Sequence, residues 1–286
     1  MFICGHISFF PVPVNAQSYK LAVFGQPVAH SLSPRIHRLF GEQLGIDVDY
    51  SAIEADIDEL AEKLAAFRAD GGTGANLTVP LKQAGLRLCT RVDRPARQAH
   101  AVNTLHLEDD GWHGYNTDGA GLLLDLDRLG IDPAGRRILI VGAGGAVAGI
   151  LGPLLDRQPA CVTVVNRTAE RAERLADKFA HLGDIRGGEI DSASEGSPHD
   201  LLIQSTSAGH EGKAVPIERA CLTDDASGYD LNYGTAHAPF AEWCRQHGMM
   251  THDGLGMLVG QAALAFNIWT GKRPDIAPTL AALSRD

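Results

Sequence analysis

The sequence is poor in cysteine. Its five residues of this type, Cys4, Cys89, Cys161, Cys221 and Cys244, are odd in number, and no two form a CxxC pair. That argues against a disulfide framework and fits thiols kept reduced, hence a cytoplasmic location. Twelve histidines are present, yet none stands in an HExxH or comparable spacing, so no metal site is expected. No apolar run approaches the ~18 residues of a membrane-crossing helix. Basic residues are outnumbered: Lys and Arg total 25 against 35 Asp and Glu, a net charge of −10. A general nucleic-acid partner is therefore disfavoured, because phosphate contact needs a basic face. Any anionic ligand must be held by a local site. No Lys or Arg precedes Lys20, so the apolar opening segment lacks the basic start of a secretory signal. Residues 1–18 are read as an extended or disordered leader with no assigned function.

What is present is ordinary globular material. The 286 residues are 44% hydrophobic and 21% charged, enough for about two domains with cores that need no covalent staple. Strand and helix patterns alternate. Leu21–Phe24 reads as a strand closing at Gly25. Ser33-Pro34 resembles the N-cap and first position of a helix that turns Ile36, Leu39 and Phe40 inward. Residues 48–53 alternate like a strand. Asp56 is expected to cap a helix with Ile57, Leu60, Leu64 and Phe67 inside. Residues 75–79 read as a strand stopped by Pro80, and residues 101–107 as one arm of a hairpin around Trp112. The pattern then repeats: a strand over 137–141, a helix over 146–156, a strand over 161–165, an amphipathic helix over 168–179, strands at 201–203 and 229–231, and a long apolar helix over 257–269. Strands separated by helices imply parallel βαβ units and an α/β class. Residues 183–199, rich in Gly, Ser and Asp, read as a surface loop.

The sharpest local signal is Ile138-Leu139-Ile140-Val141 running into Gly142-Ala143-Gly144-Gly145-Ala146. A strand enters a glycine turn and a helix leaves it, the arrangement that brings backbone N–H groups to a pyrophosphate. The third glycine of GxGxxG is replaced by Val147. The next strand ends in Asn166-Arg167-Thr168, and Asn166 lies 22 residues after Gly144, where an acid would bind the ribose 2′-hydroxyl of NAD. The acid is absent and Arg167 stands beside the position. A guanidinium pairs with a 2′-phosphate that a carboxylate would repel, so NADP is favoured over NAD.

Four polar clusters lie outside this unit: His30-Ser31-Leu32-Ser33-Pro34, Asn76-Leu77-Thr78-Val79-Pro80-Leu81-Lys82, Val102-Asn103-Thr104 and Gly114-Tyr115-Asn116-Thr117-Asp118-Gly119. Together they supply hydroxyls, amides, an ammonium and a carboxylate, a set suited to a small polyhydroxylated acid. With Gly142–Ala146, Asn166–Thr168 and Asp253-Gly254-Leu255-Gly256-Met257-Leu258-Val259 followed by Gln261, they make seven ordered motifs. In that order and spacing, from about Leu21 to the C-terminus, the chain resembles the shikimate dehydrogenase family.

The resemblance implies a Rossmann-type NADP-binding domain over residues 119–253. It also implies a discontinuous α/β substrate-binding domain over 19–118 and 254–286 with a central, mostly parallel sheet. It implies that Ser31 and Ser33 hold a substrate carboxylate, and that Asn76, Thr78, Asn103, Asp118 and Gln261 bind ring hydroxyls. Lys82 and Asp118 are the implied catalytic pair, and Tyr233 sits near substrate and nicotinamide. Gly142, Ala143, Gly144, Gly145, Ala146, Asn166, Arg167 and Thr168, with Leu231, Gly254 and Met257, are implied on the cofactor side. The activity implied is reversible NADP-dependent reduction of 3-dehydroshikimate to shikimate, in a monomer or homodimer with no nucleic-acid or membrane partner. A quinate or dual quinate/shikimate dehydrogenase is the alternative within the class, and a non-catalytic nucleotide-binding regulator the alternative outside it. Three departures from the family pattern stand out: Val147-Ala148 where Ser-Arg is frequent, Asn232 where an apolar residue is frequent, and Gly234-Thr235-Ala236-His237 in place of a more basic stretch.

Overall fold

The computed structural model describes residues 18–284. Residues 1–17, most of the leader read from the sequence, lie outside these, as does Cys4. Ser18 already opens the first strand. The chain runs β1 (Ser18–Gly25), α1 (Ser33–Leu44), β2 (Asp47–Glu54), α2 (Leu60–Ala69), β3 (Gly74–Leu77), α3 (Lys82–Leu86), β4 (Cys89–Val92), α4 (Arg94–Ala99), β5 (Thr104–Glu108), β6 (Gly111–Tyr115) and α5 (Asp118–Arg128). It continues with β7 (Arg137–Val141), α6 (Gly145–Asp156), β8 (Cys161–Val165), α7 (Ala169–Phe179), β9 (Ile185–Gly188), β10 (His199–Gln204), β11 (Leu222–Asp230), α8 (Ala238–Gln246), β12 (Met250–His252), α9 (Leu255–Thr270) and α10 (Ile276–Leu283).

Two six-stranded sheets result. The first has the order β2-β1-β3-β5-β6-β4. Only β5 runs against the others, pairing antiparallel with β3 and with β6. The second has the order β12-β11-β10-β7-β8-β9 and is parallel throughout. Ile138–Val141 is apolar without alternation because this strand is covered by helices on both faces. The order is that of a doubly wound Rossmann sheet, in which the winding direction reverses between β7 and β10 and leaves a crevice at their C-terminal ends.

The two sheets share helices. Leu122 and Leu126 of α5 pack with Ile138, Ile140, Val147 and Ile150 of the second sheet and its first helix. Val259, Ala262 and Phe266 of α9 pack with Ile36 and Phe40 of α1 on the first. Burying each such Val, Leu, Ile or Phe side chain contributes about 1.5–3 kcal/mol, so both helices are anchored by their cores. Nothing among the described helices is long and apolar enough to cross a membrane.

Several sequence expectations are corrected. Ser33 is the first helical residue of α1, not its cap; Leu32 occupies the cap position, and the Ser33 N–H donates to Ser31 Oγ at 3.2 Å. Asp56 caps the turn ahead of α2, accepting from the Asp58 and Glu59 N–H groups at 2.9 Å each, and Ile57 in that turn is 53% exposed rather than inside. The 183–199 stretch is not all loop. It contains β9, and His199 is buried at the start of β10, with Nε2 at 3.1 Å from Thr163 Oγ1 and Nδ1 at 3.0 Å from the Cys221 carbonyl. Gly187 reads as loop but serves packing: a Cβ there would lie 2.4 Å from the Ala172 backbone of α7.

Candidate active site

The C-terminal ends of β1 and β3, the starts of α1, α3 and α5, and one face of α9 surround a cavity of about 480 Å³ facing the end of β11. Ser31, Ser33, Asn76, Thr78, Lys82, Asn103, Asp118, Tyr233 and Gln261 all line it, as do Leu231, Gly254 and Met257. The turns that follow the strands place them there. Lys82 opens α3 just after β3, and Asp118 opens α5 just after β6, so residues 36 apart in sequence meet.

Lys82 Nζ donates to Asp118 Oδ2 at 2.5 Å. The lysine side chain is 22% exposed and the carboxylate 7%, so the pair is open to the cavity from the lysine side. The other carboxylate oxygen accepts from Asn103 Nδ2 at 2.7 Å. Asn103 Oδ1 accepts from the Thr117 N–H at 2.9 Å and from Thr104 Oγ1 at 3.0 Å. Asp118 is therefore held from two sides before any ligand arrives. Gln261 Oε1 lies 3.4 Å from both Asn103 Nδ2 and Thr117 Oγ1, and its Nε2 donates to the Leu258 carbonyl at 2.9 Å. Asn76 is more deeply committed. Its Nδ2 donates to the Asn103 carbonyl and to Thr104 Oγ1, both at 3.1 Å, and its Oδ1 accepts from Tyr50 Oη at 2.7 Å. Tyr233 is 36% exposed on the opposite wall, and burial of its remainder pushes its phenol up.

His30 and His210 also line the cavity, with no role expected for either from the sequence. His30 stands within the His30–Pro34 cluster. His210 follows β10 in a 3-10 turn, Ser207–Glu211, that carries no motif. Tyr50 was missed altogether, because a tyrosine in an alternating strand gives no sign of what its hydroxyl meets.

The glycine turn lies apart from this cavity, at the crevice of the second sheet. Gly142 follows β7 with φ +117°, and a Cβ there would lie 3.1 Å from the Ser205 backbone at the end of β10. Only glycine meets both demands. At Gly144 and Gly145 a Cβ would meet nothing within 4 Å, so the start of α6 faces open space with its first N–H groups. The Ser205 hydroxyl beside it is buried and has no protein partner. Arg167 is exposed just beyond β8, and Asn166 Nδ2 donates to the Thr168 carbonyl at 3.0 Å. Turn, helix start and exposed guanidinium fit a dinucleotide with a 2′-phosphate. Glu211 is held below the usual carboxylate range by Lys213 first and by Arg167 to a lesser degree.

The departures have local explanations. Val147 is fully buried in the core of the second sheet, whereas Ala148 beside it is half-buried and brings no cation to the turn. Asn232 Nδ2 donates to Asp230 Oδ1 at 2.9 Å and to the Thr206 carbonyl at 3.0 Å, tying the ends of β11 and β10 together. His237 Nδ1 lies 3.2 Å from the other Asp230 oxygen.

Comparison with known proteins bears on the whole chain. Residues 23–105 match the family profile described as the shikimate dehydrogenase substrate binding domain. Residues 127–211 match shikimate / quinate 5-dehydrogenase, and residues 254–283 the shikimate 5'-dehydrogenase C-terminal domain. The chain is similar to a shikimate dehydrogenase (NADP(+)) of Cellvibrio japonicus, 45% identical over 266 residues that cover 92% of this chain and 96% of the relative. It is 46% identical to the protein of that name from Aeromonas hydrophila over 269 residues, 93% and 98% of the two chains. Among solved structures, the shikimate 5-dehydrogenase of Thermus thermophilus in complex with NADP(H) and shikimate superposes with a TM-score of 0.84 at 33% identity, covering 93% of this chain and 99% of that one. By profile, sequence and three-dimensional likeness together, the chain belongs to the shikimate dehydrogenase family.

Proposed function

We propose that this protein is an NADP-dependent oxidoreductase that reversibly reduces 3-dehydroshikimate to shikimate. The observation that carries the reading is the Lys82–Asp118 pair, held at 2.5 Å on the wall of a cavity rich in hydroxyls and amides. On this reading residues 19–118 and 254–286 form the substrate-binding unit and residues 119–253 the NADP-binding unit.

Ser31 and Ser33, at the start of α1, hold the substrate carboxylate. Asn103, Asp118, Thr78 and Gln261 receive the ring hydroxyls, and Asn76 supports Asn103 from behind. Gly142–Ala146 and Asn166–Thr168 hold the dinucleotide, with Leu231, Gly254 and Met257 placing its reactive end against the cavity. When bound, NADPH supplies a hydride to the carbonyl carbon. The carbonyl oxygen gains negative charge as this happens. The Lys82 ammonium faces that oxygen, stabilises it and delivers its proton, which favours a low-dielectric, enclosed site. Asp118 aims the lysine, while Asn103 prevents the carboxylate from turning away.

Absorbance at the reduced-nicotinamide band tests the reading. Shikimate with NADP should give rapid growth, and quinate with either NADP or NAD much less. Growth with quinate and NAD but not with shikimate and NADP would reject it.

A further inference from the structure

The Lys82–Asp118 pair is the end of a longer line of hydrogen bonds, and its far end lies outside the cavity. Tyr50 is on β2, the edge strand of the first sheet. Its hydroxyl donates to Asn76 Oδ1 at 2.7 Å. The Asn103 carbonyl can only accept, so it fixes Nδ2 of Asn76 on the side away from Tyr50. The line continues in one sense: Asn76 Nδ2 to Thr104 Oγ1 at 3.1 Å, Thr104 Oγ1 to Asn103 Oδ1 at 3.0 Å, and Asn103 Nδ2 to Asp118 Oδ1 at 2.7 Å. Each link from Tyr50 to the carboxylate runs donor to acceptor in one direction, with side branches from Asn103 to Thr117.

The tyrosine ring is clamped as well. His37 stacks on it with ring centroids 4.4 Å apart and planes 7° from parallel. That imidazole is completely buried and its nitrogens make no hydrogen bond of standard geometry, with Asn76 the polar side chain beside it. Burial pushes it down to about 3, so at neutral pH it is an uncharged plate. Trp269 packs beside both rings, with its centroid 5.2 Å from His37 and 6.4 Å from Tyr50. Burial pushes the Tyr50 phenol up, against a lesser opposing contact with the Ser33 hydroxyl, which keeps it a donor.

We infer that Tyr50 is a positioning residue for the reaction: its hydroxyl fixes the Asn76 amide and, through Thr104 and Asn103, the carboxylate that aims Lys82. The inference rests on the function proposed above for Lys82 and Asp118. Tyr50→Phe keeps the ring and its stack while removing the donor. Loss of one buried hydrogen bond in such a line is expected to lower kcat about 5–10-fold. The KM for shikimate should rise and the KM for NADP stay unchanged. Thr104→Val cuts the same line and should give the same signature. The double variant should fall no further than the worse single one, since both changes break one series. A purely structural role would lower the melting temperature and leave kcat and both KM values of the folded enzyme alone, and that result would overturn the inference. So would independent, multiplying losses in the double variant. A second readout does not depend on turnover: the side-chain amide NMR resonances of Asn103 should move in Tyr50→Phe in the ligand-free protein. If they do not, Tyr50 is not coupled to the carboxylate. Wild-type enzyme that fails to oxidise shikimate while those resonances move would reject the proposed function alone.

Discussion

Gly121 of α5 and Gln261 of α9 are in backbone contact: a Cβ on Gly121 would lie 2.6 Å from the Gln261 nitrogen. Gly260, one residue earlier on α9, faces back, where a Cβ would lie 2.9 Å from the Gly121 carbonyl oxygen. The two helices therefore cross with glycines at the closest point, and this sets how near the Gln261 amide comes to Thr117 and Asn103. Gly121→Ala is expected to cost about 1–3 kcal/mol through overpacking, read as a lower urea midpoint. It should also raise the KM for shikimate by displacing Gln261, with the KM for NADP unchanged. A variant of undiminished stability would show that the helices can part freely.

The role of Lys82 gives the largest effect. Lys82→Ala should lower turnover at least ~10²-fold, the low end for a lost acid–base group, measured by steady-state rates at saturating cofactor. Near-normal turnover would remove the lysine from the reaction.

Arg167 has no acidic neighbour on its own strand end, and Asn166 beside it is neutral. Arg167→Ala should weaken NADPH about 10-fold or more, as expected for a lost charge-assisted contact. NADH binding should change little. Titration of both cofactors by protein fluorescence compares them directly. Equal losses would mean that this side chain does not read the 2′-phosphate.

His37 predicts an acid sensitivity of folding. In the folded chain it stays neutral down to about pH 3 because it is buried, whereas unfolded it takes up a proton near pH 6.5. Between those values the unfolded state binds the extra proton. The stability contribution is thus complete above about pH 6.5 and is lost progressively as pH falls towards 3, by a few kcal/mol in all. Urea midpoints measured from pH 7 to pH 4 should fall less steeply for His37→Phe than for the wild type. Identical slopes would place the acid sensitivity elsewhere.

Much of the fold was legible because its signals are local. The Ile138–Val141 run, the Gly142 turn and the 22-residue interval to Asn166 can be read without knowing what packs against them, and the structure puts β7, α6 and β8 where they predict. The same holds for the polar clusters, whose members meet at one cavity. What escaped depends on distant partners. The Asn116–Gly119 segment reads as a turn, and Gly119 and Gly121 do not suggest a helix. Yet α5 is a helix, and Gly121 is there because α9 passes close by, more than a hundred residues later. The short β9, Ile-Arg-Gly-Gly, looks like loop for the same reason. Tyr50 and His37 sit in an alternating strand and an amphipathic helix, where aromatic rings are ordinary core. Their contact and the hydroxyl's partner exist only once β2, β3 and α1 are assembled.

The return of the chain through α9 has a consequence for how the molecule is made. Ile36 and Phe40, near the beginning, find their packing partners Val259, Ala262 and Phe266 close to the end. As the polypeptide emerges from the ribosome, the all-parallel layer has every one of its strands by His252, whereas the earlier layer must wait, with α1 uncovered, until translation is nearly finished. Order of synthesis and order of completion are thus reversed. A premature stop before α9 would leave a nascent product with every strand of the parallel layer made, while its older layer exposes a greasy flank to chaperones and proteases.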